Sequence, residues 1–478
     1  DSFAFTEKKD STTNPNGVYC FDCFKEMLSG EPVNGTFYFE GTSESSLHDL
    51  AKDNCFAFSY VIFDSNASQY VSQNKYELTV QDPKVSGEDG RSTYVVDSSN
   101  KLISCRVGKG VETLNMPDPI GPYHIYNIDA NIFANYCNLK MVSLPASVQT
   151  IGENAFKGCH NLATVVFNNS SVQIGENAFK TQDYTGAQHI NCSGVATDPD
   201  GTPKVKLKFV GEISSTSTPY LYAMSENGRY NNASQVKSYV TYCSGWPSNL
   251  IVQYNSEKQV SELTDFPAFS ELKKYADNPD DYPYLTDEQS SAAKTALNKY
   301  GNSSLTENEQ SFIDSALNIN IPDGVQAIAD GLYKSKETSD ELAGYTGLEK
   351  TVTLWGLDNI EAEDFQGATS LTALISNGDM SSIEEGAFKG CTNLKKVEIN
   401  GNTTSIGDKA FEDCNALTDV TLSGTITDLG IIPFTGCENL KSVNFTGTDY
   451  FSCDNSIIYG MSNGTKARII ECLEGRDS

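Results

Sequence analysis

Residues 382–422 read SIEEGAFKGCTNLKKVEINGNTTSIGDKAFEDCNALTDVTL, a stretch that states one frame, I-x-x-x-A-F-x-x-C-x-x-L-x-x-V-x-[IL], twice. Working outward, phenylalanines fall at Phe365, Phe388, Phe411 and Phe434, cysteines at Cys391, Cys414 and Cys437, and aliphatic residues at Ile360, Ile383, Ile406 and Leu429, each step being 23 residues. Far upstream the same step separates Phe133, Phe156 and Phe179. A period held in several columns at once marks a repeat architecture.

Within a unit, L-x-x-V-x-I (Leu394, Val397, Ile399) ends in the alternation of a short strand with one buried face. The other half, I-G-x-x-A-F-x-x-C, is too short for a full helix and suits a single helical or 3₁₀ turn. One strand and one turn cannot enclose their own apolar side chains, so units must stack in register about 4.8 Å apart, like residue on like residue. The expected fold is an α/β repeat: a right-handed leucine-rich-repeat solenoid with a parallel β-sheet and short helical turns, joined by an N-terminal β-rich module and a helical insert.

The phrases LPASVQTIGENAFKGCHNL (144–162) and NIPDGVQAIADGLYKSK (320–336) resemble the BspA-like leucine-rich repeats of surface and secreted proteins from host-associated microbes; in the second, Leu332 and Tyr333 stand where Ala and Phe are usual. YVVDSSNKLISCRVGKG from Tyr94 and FSCDNSIIYGMSNGTKARIIECLEG from Phe451 resemble the hairpin variant that interrupts such arrays. The resemblance implies cell-surface display and binding of host or neighbouring-cell proteins, without naming one ligand.

The chain is divided accordingly: an N-terminal β-rich capping module over 1–110, with strand candidates TFYFEG, FAFSYVIFD, KYELTV and STYVV and a helix at SSLHDLAKD; leucine-rich repeats over 111–260, irregular after 180; a helical-hairpin insert over 261–318; and repeats ending in a hairpin-type unit over 319–478. The hairpin is read from the capping-box pairs Thr286 with Gln289 and Thr306 with Glu309, each ahead of a helical apolar pattern. RIIECLEGRDS (468–478) does not read as a polar cap, which suggests a continuing or truncated chain.

Charge and composition exclude some partners. The balance of 34 basic and 63 acidic residues, 34 − 63 = −29, argues against nucleic acid and anionic membrane surfaces. No apolar run reaches the roughly eighteen residues of a membrane span. The abundance of Ser, Thr, Asn, Gly and Tyr reads as secreted or cell-surface, with a signal peptide presumed removed.

Catalytic signatures are thin. Cys137, Cys159, Cys391, Cys414 and Cys437 occupy the inward repeat position and read as a ladder of inert buried thiols. Cys20 and Cys23 form a C-x-x-C without a βαβ frame or a second pair, so a redox or zinc role ranks below a local disulfide or structural thiols. His48, His124, His160 and His189 lack ligand-like spacing, and hydrolase, P-loop and metalloprotease motifs are missing. No enzyme activity, cofactor, metal or catalytic residue is expected; an enzyme seated in the N-terminal module or insert stays as the weakest reading.

Binding is expected on the outward positions of the strand half: Lys395, Lys396 and Glu398, then Thr418, Asp419 and Thr421, then Lys441, Ser442 and Asn444, with Thr164, Val166 and Asn168 equivalent upstream. A solvated face without a partner is the plain alternative. The rival site is the aromatic-rich irregular segment bearing Tyr220, Tyr222, Trp246, Tyr254, Tyr282 and Tyr284, where core packing is equally open. The sequence thus reads as a monomeric, non-enzymatic, adhesin-like module. Its partner would be a protein or glycan on host or neighbouring cells, with no nucleic acid and no direct membrane insertion. A structural spacer displaying another domain is the alternative.

Overall fold

The structure, a computed structural model, describes residues 3–6, 37–40, 59–64, 69–72, 75–181, 206–229, 240–245, 248–266, 287–299, 304–333, 350–362, 364–423 and 425–475. The chain divides into two compact units, 1–207 with 231–235 and 208–230 with 236–478. Both contain coils of the repeat.

In the first unit, β1 (Thr113–Asn115), β2 (Met141–Leu144) and β3 (Thr164–Phe167) run parallel, Thr113 beside Met141 beside Thr164. A second ladder follows the turn of each coil, through Asn127–Ile128, Thr150–Ile151 and Gln173–Ile174. The sequence reading has one strand per unit; the coil has two, because the residues just before the I-G pair also bond to their counterparts. The expected strands of the N-terminal module occur at Phe37–Glu40, Ser59–Asp64, Lys75–Gln81 and Arg91–Asp97. The last two continue into Lys101–Arg106 as an antiparallel meander, whose Leu102 pairs with Ile128 and so covers the open edge of the short ladder. The expected helix over 45–53 lies outside the described residues.

In the second unit a parallel sheet runs through β4 (Ile319–Ile321), β5 (Lys350–Leu354), β6 (Leu371–Ser376), β7 (Lys396–Ile399), β8 (Asp419–Ser423) and β9 (Val443–Thr446). Val352, Leu374, Val397, Val420 and Val443 stack in one column. Ahead of it, Val240–Cys243 and Ile251–Asn255 pair antiparallel. The helical hairpin is present as α2 (Asp287–Lys299) and α3 (Glu307–Leu317), behind α1 (Thr218–Met224), a helix the sequence reading leaves as an irregular aromatic segment. Thr306 and Glu309 form the expected capping box, and Ala293, Ala296, Leu297, Ile313 and Leu317 are buried. Thr286 lies outside the described residues.

The aromatic column is a stack. Ring centroids are 4.5 Å apart from Tyr333 to Phe365, then 4.9, 5.1 and 5.3 Å through Phe388 and Phe411 to Phe434; in the first unit, Phe133, Phe156 and Phe179 are spaced at 4.7 and 5.1 Å. The short helical turns are successive i→i+3 turns, which left-handed residues such as Asn154 (φ 55°) and Gly158 (φ 77°) keep from lengthening into helix. Their free N–H groups bond to the next coil instead: Phe388 to the Ala410 carbonyl and Gly390 to the Glu412 carbonyl, both at 2.8 Å. The motif glycine Gly407 is small for a steric reason, since a Cβ there would sit 2.5 Å from the Glu385 backbone nitrogen.

Burial accounts for the cysteine column only in part. Each thiol also donates to the carbonyl of the preceding coil's phenylalanine: Cys159 to Phe133 and Cys391 to Phe365 at 3.0 Å, Cys414 to Phe388 and Cys437 to Phe411 at 3.2 Å. Asn393 and Asn439 do the same for Thr369 and Asn415. Burial pushes the Cys159 thiol up to about 12, and hydrogen bonding with the Cys391 and Cys437 thiols, together with burial, holds Cys414 far above its usual range. Cys137 departs from the expected set: it is disulfide-bonded, and its coil is the first, with Gly110 rather than a phenylalanine one step back. In native protein a maleimide will label exposed Cys472 while Cys159, Cys391, Cys414 and Cys437 resist until denaturant is added. Mass spectrometry of the labelled peptides checks this, and equal labelling of Cys414 and Cys472 would refute the ladder.

The array also has a cap that the sequence reading misses. Beyond β9, Phe451–Asp454, Ile457–Ser462 and Thr465–Cys472 form the expected hairpin-type unit. Phe434 and Gly436 have no further coil to receive their N–H groups, and side chains replace the missing carbonyls: Glu471 Oε2 accepts from Phe434 at 3.0 Å and Glu474 Oε1 from Gly436 at 3.1 Å. RIIECLEG is therefore a polar cap, delivered by two carboxylates spaced to match alternate N–H groups.

Candidate functional site

The outward side chains of β7 to β9 fall into rows fixed by register. Lys396 stands beside Asp419, and Glu398 beside Thr421 beside Asn444; by the same register Lys395, Thr418 and Lys441 align, as do Asp419 and Ser442. Because Val397, Val420 and Val443 are buried in the alternate positions, the rows of Lys396 and Glu398 face outward, whereas Lys395, Thr418 and Lys441 precede the strands. Lys395, Lys396, Thr418, Asp419, Lys441, Ser442 and Asn444 are exposed, while Glu398 and Thr421 are half-buried.

The polar groups hold one another in place. Lys396 Nζ lies 2.9 Å from Glu398 Oε1, Thr418 Oγ1 donates to Asp419 Oδ2 at 2.7 Å, and Ser442 approaches Cys453 Sγ at 3.8 Å. Charges of both signs share the face, the adjacent Lys395 and Lys396 lying beside Glu398 and Asp419. Such a face suits a complementary polar surface better than one small ion.

The first unit does not match this pattern fully. Thr164 and Asn168 reach solvent, and Asn168 Nδ2 donates to the Leu144 carbonyl at 2.8 Å. Val166 is buried, 6 % exposed, although it sits at an outward position; its place is a packed one and not part of an open polar face.

The aromatic segment also separates. Tyr220 and Tyr222 of α1 are buried, the Tyr220 hydroxyl donating to the Gly324 carbonyl and its ring meeting Tyr242 edge-on at 5.3 Å. They serve the core, as the plainer reading allows. Tyr254 is half-buried. Trp246, Tyr282 and Tyr284 lie outside the described residues.

One ionic cluster was not foreseen. Lys258 Nζ lies 2.9 Å from Glu361, 3.0 Å from Asp330 and 3.5 Å from Glu262; against the lowering effect of burial, Glu361 and Asp330 raise its pKa. Beside it, Asp364 occupies the inward position that is alanine in the neighbouring coil, at Ala387. Burial pushes Asp364 up to about 8, and it accepts the Glu361 N–H at 2.8 Å while its Oδ1 lacks a partner. At 1 % exposure this acid is sealed from solvent, while the Lys258 ion pairs link residues of successive coils.

Trp355, like Tyr450, is an exposed aromatic that sequence reading overlooks. It lies at the outward corner after β5, 47 % exposed, its indole N–H donating to Asn320 Oδ1 at 2.8 Å. Counting in steps of 23 hides it, because Leu354 pairs with Ser376, a step of 22. Among the described residues no group of three or more His, Cys, Asp or Glu is placed to hold a metal, and no helix is long and apolar enough to cross a membrane.

Comparison with known proteins agrees with the repeat. Residues 122–194 and 358–467 match the family model described as BspA type leucine rich repeat region, in six copies. Among solved structures, a leucine rich cell surface protein from Faecalibacterium prausnitzii A2-165 is 16 % identical over 77 % of this chain and 88 % of its own, with a TM-score of 0.19. A leucine-rich repeat protein from Bacteroides ovatus ATCC 8483 is 16 % identical over 80 % and 91 %, TM-score 0.21, and one from Eubacterium ventriosum ATCC 27560 is 17 % identical over 75 % and 95 %, TM-score 0.21. At these scores the likeness adds nothing to the fold drawn above from strand register. No curated protein matches the chain.

Proposed function

We propose, from the premise that the repeat blocks are BspA type leucine rich repeats, that this protein is a secreted or cell-surface, non-enzymatic binding module, adhesin-like in action. Its outward rows on β7 to β9 engage a protein on host or neighbouring cells. The observation that carries this reading is the in-register polar face: Lys396 with Asp419, and Glu398 with Thr421 and Asn444, are held on a sheet whose inward residues Val397, Ile399, Val420, Leu422 and Val443 are buried. A rigid, preordered surface loses little side-chain and backbone freedom on association. The acidic, Ser- and Asn-rich composition suits the outside of a cell.

The test is capture of partners from an array of matrix and cell-surface proteins by wild type and by a Lys396→Glu, Asp419→Lys double variant. Reversing both charges keeps the net charge and the buried column, so melting should hold within about 0.5 kcal/mol of wild type, while partner binding should fall at least about tenfold. Equal capture by the two proteins would overturn the assignment of the rows. No capture by either would favour the spacer reading.

A further inference from the structure

We propose that the opposite end of the same sheet, around Trp355, is a second site that binds an uncharged saccharide chain. The inference deepens the reading of this protein as a binding module and rests on it. Across β4 to β7, register places Asn320, Thr353, Ile375 and Glu398 in one outward row and Trp355, Asn377 and Asn400 in the next. Of these seven side chains only Glu398 is charged, and its carboxylate is held by Lys396 Nζ at 2.9 Å, in a chain whose formal net charge is −29. Nearby carboxylates are turned to the chain's own donors: Asp323 accepts from Ser215 and Asp379 from the Asn402 N–H.

The geometry points to a sugar for three reasons. The indole is held by its bond to Asn320 yet remains 47 % exposed, so its ring offers apolar surface in a partly fixed orientation. Beside it, Asn400 Nδ2 donates to Asn377 Oδ1 at 3.0 Å, which orients both amides and leaves a donor on Asn377 and an acceptor on Asn400 for hydroxyl groups. The corner is rigid: a Cβ on Gly378 would collide with the Trp355 carbonyl, and one on Gly401 with the Gly378 carbonyl, so the three outward residues keep the coil spacing of about 4.8 Å. A pyranose offers a C–H face for the indole and a rim of hydroxyls for the amides. An apolar peptide would need a continuous groove, and this surface has one aromatic ring set in amides.

The experiment uses the full chain with neutral oligosaccharides of glucose, mannose, galactose and N-acetylglucosamine, an oligogalacturonate as the acidic comparator and an uncharged apolar peptide. Binding is read by affinity electrophoresis and tryptophan fluorescence. At least one neutral oligosaccharide should bind, Trp355→Ala should weaken it by about tenfold or more, and Asn400→Ala by about threefold. Trp355→Phe should retain part of the affinity, which separates loss of the platform from loss of fold. The Lys396→Glu, Asp419→Lys variant should bind saccharide within about twofold of wild type. Absence of neutral saccharide binding, undiminished binding by Trp355→Ala, or binding of the oligogalacturonate or peptide alone would each overturn the proposal. A protein partner captured through the charged rows with no saccharide bound would sink this site and leave the broader reading standing.

Discussion

Replacing Phe411 by alanine will lower the unfolding free energy of the second unit by about 3 to 5 kcal/mol, visible as a lower denaturation midpoint. The side chain is fully buried, with Phe388 at 5.1 Å on one side and Phe434 at 5.3 Å on the other. Truncation therefore removes its own apolar burial, opens a cavity and breaks two ring stacks at once. Lys396→Ala, on the exposed end of the neighbouring strand, should cost less than about 0.5 kcal/mol, since its contact with Glu398 is a solvent-exposed ion pair. Nearest-neighbour coupling adds a finer expectation: Phe411 meets aromatic rings on both flanks, so its loss should exceed that of Phe434, whose outer flank is the cap. Equal costs for Phe411→Ala and Lys396→Ala would mean that the register is wrong.

What the sequence discloses follows from this same stacking. Phe388, Cys391, Ile383 and Val397 each meet the environment of their counterparts one coil away, so the same residue type recurs and the column can be counted. The outward rows were legible as positions for that reason, although nothing in a period distinguishes a binding Lys396 from a solvated one. Features occurring once leave no column. Glu471 and Glu474 serve only the last coil, and Val166 is covered only in the first unit. Trp355 escapes because a step of 22 shifts it out of the count. The helix over Thr218–Met224 has a start signal in Ser217-Thr218-Pro219, with proline in the first turn, but its tyrosines draw the eye toward recognition when their role is packing.

Lowering the pH from 8 to 5 will stabilise the second unit, against the usual behaviour of acidic proteins. Burial pushes Glu471 up to about 7, opposed by its hydrogen bond from the Phe434 N–H and assisted by the charge of Glu474. Asp364 is pushed up to about 8, by burial first, with Glu361 and Asp330 raising it and Lys258 and the Glu361 N–H lowering it. In the unfolded chain both titrate near 4. Between that value and the folded one the native state holds more protons than the unfolded state, so stability falls as pH rises through the window and the contribution is complete only below it. Glu471 alone accounts for a change on the order of 3 kcal/mol. Glu309, Glu412, Asp129 and Asp323 are shifted the other way and remain ionised throughout, so they add no slope here. Glu471→Gln keeps an acceptor for Phe434 but cannot titrate; denaturant midpoints should then vary less with pH, and at pH 8 the variant should equal or exceed wild type. Glu471→Ala removes the acceptor and should cost about 1 to 3 kcal/mol at pH 5 as well. Because Glu471→Gln alters the net charge by only one, a general release of repulsion would leave its slope as steep as wild type, and that outcome would remove Glu471 from the account.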